Sequence, residues 1–509
     1  MADDEDLSAR AAAAAALLEE IAGDHRALAQ LGDELRKRLV TAAGQVSRPD
    51  RYSRKALGKA LARARVEERR KQDRATLEQT GIRVLRKQTV FRAPLPMPKP
   101  EDEADDGGWG EAEAEHEEAP RRVVDPRTCY VCKASFHELH HFYDQMCASC
   151  AELNWTKRNQ MADLRGRYAL VTGARVKIGY HAALKLLRCG AETIVLTRFP
   201  RDAARRFAEE ADSAAWIDKL HVYGIDLRHT PSVEALCAHL VDTLPRLDVL
   251  INNACQTVRR PSGWYDHVIA RELEVESFRS PALAQWESLR GKALPAAPAN
   301  ALATKHGGLW QSAVLSQVPL LAEDLERGNH LFPEGRLDAD LQQVDLRMQN
   351  SWRMALADVP TAELLEVHLV NAVAPFVLNA RLKPLLARIP TRDAHVVNVS
   401  AMEGQFYRRW KTDKHPHTNM AKAALNMMTR TSAADYIKDG IHMNAVDTGW
   451  VTDEDPAHHA ERKQRVHGFH PPLDIVDGAA RIVDPFLDGV VTGHHVWGLF
   501  LKDYKPAPW

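Results

Sequence analysis

The feature that most restricts the fold is an alternation that begins at Tyr168. Short runs rich in Val, Ile and Leu are each followed by an amphipathic stretch of helical period. Strands joined through helices give a parallel sheet covered on both faces. The expected fold class is therefore α/β, a doubly wound parallel-sheet domain over residues 160–509. The alternation lapses once, over residues 259–359, where Trp264, Trp286, Trp310 and Trp352 stand among polar and proline-rich segments. A structureless loop of that length is uncommon in a compact domain, so a large folded insertion or lid is expected there.

A chain of 509 residues exceeds one ordinary domain, so further units are expected ahead of the sheet. Residues 1–92 read as a helical region. Leu17, Ile21, Leu28, Leu31 and Leu35 recur at heptad-like spacing, and Pro49 breaks the stretch. A basic helix follows, carrying Arg54, Lys55, Lys59, Arg63, Arg65, Arg69, Arg70 and Lys71. An antiparallel pair or short coiled coil is expected, offering a surface to a protein partner. Residues 93–126 include the acidic run Glu101 to Glu118, which holds almost no apolar side chains. Such a segment cannot offset its ordering entropy by burial and is expected to be a disordered linker. The formal net charge of -1 shows no commitment to nucleic acid or to a membrane surface. The acidic start and the short Ala11–Leu18 run do not resemble a secretory signal or a membrane span, so a cytoplasmic protein is expected.

Residues 127–155 form a cysteine/histidine module. Cys129 and Cys132 make one CxxC knuckle, and Cys147 and Cys150 make a second. Each pair can point two thiolates at one centre, and two pairs complete a closed tetrahedral shell, so structural zinc is expected. His137, His140 and His141 lie between the knuckles. They are read as packing histidines, with replacement of a cysteine or binding of a second metal as the alternative.

Tyr168 to Gly179 reads as strand, glycine turn and helix start. Such a turn lets backbone approach a pyrophosphate at the positive end of a helix. A second strand, Glu192 to Thr197, ends at Arg198. A third leads into Asp226 and Leu227, and a fourth ends in Asn252-Asn253-Ala254. Downstream come Asn371, the strand Val396 to Ser400, the helix carrying Lys422, and Asn444 through Gly449 to Val451.

These motifs, in this order, resemble the short-chain dehydrogenase/reductase superfamily with its NAD(P)-binding Rossmann fold. The resemblance implies that Thr172, Gly173, Ile178 and Gly179 line the pyrophosphate and Asp226 and Leu227 the adenine. It implies that Asn252 and Ala254 border the ribose region, that Lys422 holds the nicotinamide ribose, and that Val446 and Thr452 flank the nicotinamide. Asn371 and Lys422 match the family's catalytic asparagine and lysine. Homo-oligomers that pair through the helices bearing these two residues are also implied.

Several positions depart from the family pattern. Lys177 stands where the family has its middle glycine. Together with Arg175 and Arg198 it suggests a basic ring suited to a 2′-phosphate, so NADP is expected, with NAD as the alternative. Thr418 replaces the tyrosine four residues before the lysine, Ala401 the serine, and Thr448 the proline before Gly449. An aliphatic hydroxyl is a far weaker acid than a phenol, so Thr418 cannot inherit the proton transfer. Ser400 is expected on the strand's other side. The loop from Gln405 to His417 offers substitutes. Tyr407 has Arg408 and Lys411 nearby to lower its pKa, and His417 titrates near neutrality. The expected function is an atypical NADP(H)-dependent oxidoreductase acting on a carbonyl or alcohol of unidentified structure. The alternative is a catalytically inactive NAD(P)-binding scaffold or sensor that recruits protein partners through the zinc module and N-terminal helices.

Overall fold

The computed structural model describes residues 2–92, 121–273, 311–408 and 411–509. Most of the acidic linker, and the insertion tryptophans Trp286 and Trp310, fall outside the described residues. The chain divides into two units, Met1–Ala75 and Thr76–Trp509.

The first unit is helical: α1 (Ala2–Gly23), α2 (His25–Ala29), α3 (Asp33–Ser47) and most of α4 (Arg51–Leu77). Local chemistry sets the breaks. Asp24 caps α2 by accepting from the Arg26 amide, and Asp50, directly after Pro49, accepts from the amides of Tyr52 and Ser53 at the start of α4. The heptad-like positions therefore fall on three helices, with Leu31 in the turn between α2 and α3, and α3 buries none of its residues.

The second unit opens with α5 (Gly81–Arg86), the antiparallel hairpin β1 (Arg122–Thr128) and β2 (Ser135–Glu138), and α6 (Ala148–Asn159). The hairpin begins at Arg122, inside the stretch expected as linker. There Val123 is buried, and the His137 ring lies 3.1 Å from its carbonyl.

The sheet domain follows with β3 (Tyr168–Thr172), α7 (Lys177–Arg188), β4 (Glu192–Thr197), α8 (Pro200–Ala208), β5 (Leu220–Gly224), α9 (Thr230–Thr243) and β6 (Val249–Asn252). Then come α10 (Asp266–Leu273) and α11 (Gln311–Leu315) of the insertion. They lead to α12 (Thr361–Leu386), β7 (Ala394–Ser400), α13 (Pro416–Tyr436), β8 (Ile441–Asp447), α14 (Ala457–His467), α15 (Ile475–Thr492), β9 (Phe500–Lys502) and β10 (Lys505–Ala507). The strand order is β10-β9-β8-β7-β6-β3-β4-β5, parallel throughout except for β10. The order reverses between β3 and β6, and a crevice opens beyond the carboxyl ends of strands at such a point.

Two apolar layers cover the sheet. One joins α7, α8 and α15 through residues such as Leu184, Phe207, Ile482 and Phe486. The other joins α9, α12 and α13 through Leu236, Leu378, Leu382 and Ala433. Among the described residues α12 alone is long and apolar enough to cross a membrane, and here it packs in this second layer. The described part of the insertion has its own small core of Trp264, Tyr265, Val268, Ala313 and Phe332, closed against Phe199 just after β4. Arg259 fastens its base by donating to Glu366 on α12 at 2.7 Å and to Asp324 at 2.6 and 2.7 Å.

The cysteine module is not a separate bead. Cys129, Phe136, Phe142, Tyr143 and Met146 share one buried cluster with Val451, Leu473 and Ile475 of the sheet domain. Arg158 on α6 forks onto Asp474 at 2.6 and 2.9 Å and reaches Asp477 at 2.9 Å, while Tyr143 donates to Asp477 at 2.5 Å. Asp474 is itself the N-cap of α15. The independence expected from sequence fails because the module's apolar face is completed by the sheet domain.

Candidate active site

The glycine turn is built by close backbone approach. Gly173 has φ +67°, and a Cβ there would meet the Ala254 Cα at 2.8 Å. A Cβ on Gly179 would lie 2.3 Å from the Asn253 amide nitrogen and 2.4 Å from the Gly173 carbonyl. Asn253 donates to the Thr172 carbonyl, and the Thr172 hydroxyl accepts from the Ala254 amide at 2.9 Å. The turn is thus locked to the end of β6, and only glycine fits at both positions.

Lys177 occupies the left-handed region at φ +54°, the conformation that a glycine would adopt at no steric cost. Its ammonium lies 3.5 Å from Glu454 in the loop after β8. Glu454 holds the lysine pKa above its ordinary value, and Lys177 in turn holds the Glu454 carboxyl below its own. Thr452 also donates to Glu454, at 2.7 Å. Arg175 is buried against Asp202 at 2.7 Å and Gln342 at 2.5 Å. The basic ring expected from Arg175, Lys177 and Arg198 is therefore not formed, because carboxylates take up two of the three cations.

Arg198 is different. It donates to the Tyr265 hydroxyl at 2.7 Å and stacks on the Phe199 and Tyr265 rings. Among the described residues no carboxylate lies within ion-pair distance of it. It lines a small polar cavity with Arg228, Arg260, Ser262 and Tyr265. Arg228 and Arg260 gave no readable signal: the first is placed by Asp226 and by Glu366 on α12, the second by Asp345 of the insertion. Asp226 is engaged by Arg228 through both oxygens. Leu227 is buried in the second apolar layer.

Other implied positions are committed to structure. The Asn252 side chain donates to Asn379 at 2.8 Å and Asn398 at 2.9 Å, a buried amide network behind β6. Its side chain is thereby occupied away from the ribose region; Ala254 remains at the turn. Val446 is buried in the first layer, with Ile178 packed against it.

Asn371 sits on the single π turn of α12, Leu369–Val373. Such turns widen a helix and re-aim a side chain. Its amide clamps the Gln256 backbone, accepting from the amide at 2.7 Å and donating to the carbonyl at 3.2 Å. Lys422 on α13 is nearly buried and donates to the Val399 carbonyl at 2.7 Å. Ser400 faces α13, the helix of Lys422, and donates to Asn426 at 2.5 Å, so its hydroxyl is already engaged. Thr418 is buried with no hydrogen-bond partner for its hydroxyl among the described residues.

The two substitute acids part company. His417 is 1% exposed and its Nε2 lies 3.3 Å from Glu363 on α12, whose side chain is equally buried. Tyr407 is 48% exposed, with its hydroxyl 3.9 Å from the Met402 sulfur. Arg408 pairs with Glu403, and Lys411 donates to the Glu403 carbonyl, so neither cation is held by the phenol. Replacing His417 with alanine would leave Glu363 buried beside a void. The expected cost is about 3 kcal/mol in urea denaturation. Unchanged stability together with lost turnover would return His417 to the chemistry.

The four cysteines converge. One sulfur from each lies within 4.8 Å of the other three, and Cys132 and Cys147 are 3.6 Å apart. Two thiolates at about 2.3 Å from one tetrahedral ion sit about 3.8 Å apart, so the set fits. His137 and His140 serve the module's own packing. His140 accepts from the Phe142 amide, and burial lowers its pKa to about 4. His141 stacks edge-on against Trp155. Tyr130, between Cys129 and Cys132, accepts from the Trp450 amide at 3.0 Å, so the knuckle props the loop after β8.

The family model for short chain dehydrogenase matches residues 167–274, and that for enoyl-(acyl carrier protein) reductase matches residues 336–470. An uncharacterized protein, R665, of Acanthamoeba polyphaga mimivirus is 30% identical over 370 residues, covering 70% of this chain and 71% of that protein. Human retinol dehydrogenase 14 is 36% identical over 103 residues, covering 18% of this chain and 31% of the relative. An NADPH-bound carbonyl reductase from chicken fatty liver aligns over 68% of this chain and 100% of its own, at 18% identity and a TM-score of 0.40. The chain belongs to the short-chain dehydrogenase/reductase superfamily.

Proposed function

We propose that the protein is an NADP(H)-dependent oxidoreductase that reduces a carbonyl compound or oxidises the corresponding alcohol. Arg198 carries the reading. It ends β4 where a ribose 2′-substituent lies in this fold, no acidic residue follows the strand, and its charge faces a polar cavity. Bound NADPH would supply the hydride. Gly173 and Gly179 leave room for the pyrophosphate, Asn371 fixes the backbone at Gln256, and Lys422 approaches the nicotinamide ribose from α13. Tyr407 delivers the proton, because His417 is enclosed beside Glu363 at 1% exposure and Thr418 is too weak an acid. The cysteine module holds one structural zinc, closed by four thiolates and without an open position for chemistry.

In Arg198→Ala, calorimetry is expected to show the preference for NADPH over NADH narrowing about tenfold or more, since a charge-assisted contact is worth roughly 1.5–3 kcal/mol. Equal affinity of the wild type for both cofactors overturns the assignment to NADP. A second reading, a nucleotide-binding scaffold, is favoured by the replacement of the family's serine and tyrosine by Ala401 and Thr418. Tight NADPH binding with no oxidation across a broad carbonyl panel would select it.

A further inference from the structure

At the amino ends of the strands, away from the nucleotide cleft, β7 and β8 begin with paired histidines. His395 and His442 are register partners on adjacent parallel strands, so both side chains leave the same face. Their rings stack at 5.1 Å between centroids. His495, from the segment after α15, completes the group, 5.2 Å from the first ring and 5.1 Å from the second. One ring nitrogen from each lies within 4.8 Å of the other two.

The rings are oriented as well as close. The His442 Nδ1 is 3.2 Å from the Ala394 carbonyl, which fixes its proton there and leaves a lone pair on Nε2. The His395 Nε2 and His495 Nδ1 are 2.9 Å apart, and the other nitrogen of the fully buried His395 has no hydrogen-bond partner among the described residues. The nearby Asp393 is bound by Arg167 and Thr391. Room for the third ring is made by Gly489 on α15, where a Cβ would stand 2.4 Å from the His495 Nδ1. His495 is half-buried, which gives an ion a path in from solvent.

Plain packing explains this group poorly. Three mutually facing imidazoles in an apolar layer leave polar atoms short of partners, at about 1–3 kcal/mol for each buried group. Nitrogens bound at about 2.0–2.1 Å to one tetrahedral ion lie roughly 3.3 Å apart, within reach of small ring movements from the observed spacing.

We propose that His395, His442 and His495 bind a divalent transition-metal ion of the zinc class. The site is distinct from the four cysteines and ties the segment before β9 to the starts of β7 and β8. Imidazole ligands suit zinc, cobalt, nickel or copper rather than calcium or magnesium. Three protein ligands leave one position for water. The ends of β7 that bear His395 and Ser400 are roughly 16 Å apart at 3.3 Å per residue, so this ion lies outside the hydride-transfer site.

The test is metal content by mass spectrometry on monodisperse full-length chain purified with zinc and without chelator. His495→Ala is expected to carry one equivalent less than the wild type. Gly489→Ala, which keeps every ligand but crowds the ring, is expected to lose the same equivalent. His495→Ala should retain the equivalent held by the four cysteines, which separates the two sites. Cobalt added to EDTA-stripped wild type should give nitrogen-ligand visible bands that His495→Ala lacks. Equal metal content in the wild type and folded His495→Ala overturns the proposal.

Discussion

Tyr407→Phe is expected to lose roughly 10²–10⁴ of its turnover with NADPH and a carbonyl substrate, the range for removal of a positioned general acid. Its affinity for NADPH should change little, because Tyr407 lies on the loop after β7 and away from the glycine turn. Among the loop's proposed donors it is the one left free to act, with His417 enclosed beside Glu363 and Thr418 buried. A hydroxyl beside the Met402 sulfur is not yet in a catalytic geometry. The loop therefore has to close on substrate, and single-turnover rates should be more sensitive to solvent viscosity than NADPH binding is. Lys422→Ala provides the contrast: it should weaken cofactor binding as well as turnover. Undiminished turnover in Tyr407→Phe removes the phenol from the mechanism.

The second large effect concerns the cysteine module. Cys147→Ser should abolish zinc binding at the four cysteines, and structural zinc contributes on the order of 10–16 kcal/mol to folding in small zinc peptides. That is comparable to the whole stability of a typical domain, about 5–15 kcal/mol. Because the module shares its core with Val451, Leu473 and Ile475, the loss should not stay local. Arg158 would no longer be held against Asp474 and Asp477, leaving carboxylates buried at the N-terminus of α15. The loop propped by Tyr130 should loosen at the same time. Calorimetry is expected to show one cooperative transition shifted far down, with NADPH affinity falling in parallel. Normal NADPH binding by a zinc-free chain would show the module to be dispensable.

Much of this architecture was legible in the chain. The apolar runs at Tyr168, Glu192 and Val249 could only become central strands, since continuous Val, Ile and Leu suit a sheet buried on both faces. Gly173 and Gly179 announced the turn because no other residue tolerates its geometry. The two CxxC knuckles announced their convergence because their spacing is local. The side chains around the cofactor were less legible. Arg175 and Arg198 look alike in the sequence, yet Asp202 neutralises the first, while the guanidinium of the second donates to the Tyr265 hydroxyl and stacks on aromatic rings. Arg228 reaches the same cavity from the loop after β5 and Arg260 from the insertion, whose path back onto β4 no local pattern encodes.

The sequence by itself determined the elements whose signal is short-ranged: strand and helix period, the glycine turn, the thiolate pairs, and the missing tyrosine at Thr418. Tertiary structure decided whatever depends on partners distant along the chain. It turned Lys177 toward Glu454, enclosed His417 with Glu363, joined the cysteine module to α15, and brought His495 to His395 across 100 positions. The physical reason is common to all four. Charge, burial and hydrogen bonding are set by what lies within a few ångströms in space, and only the folded chain fixes those neighbours.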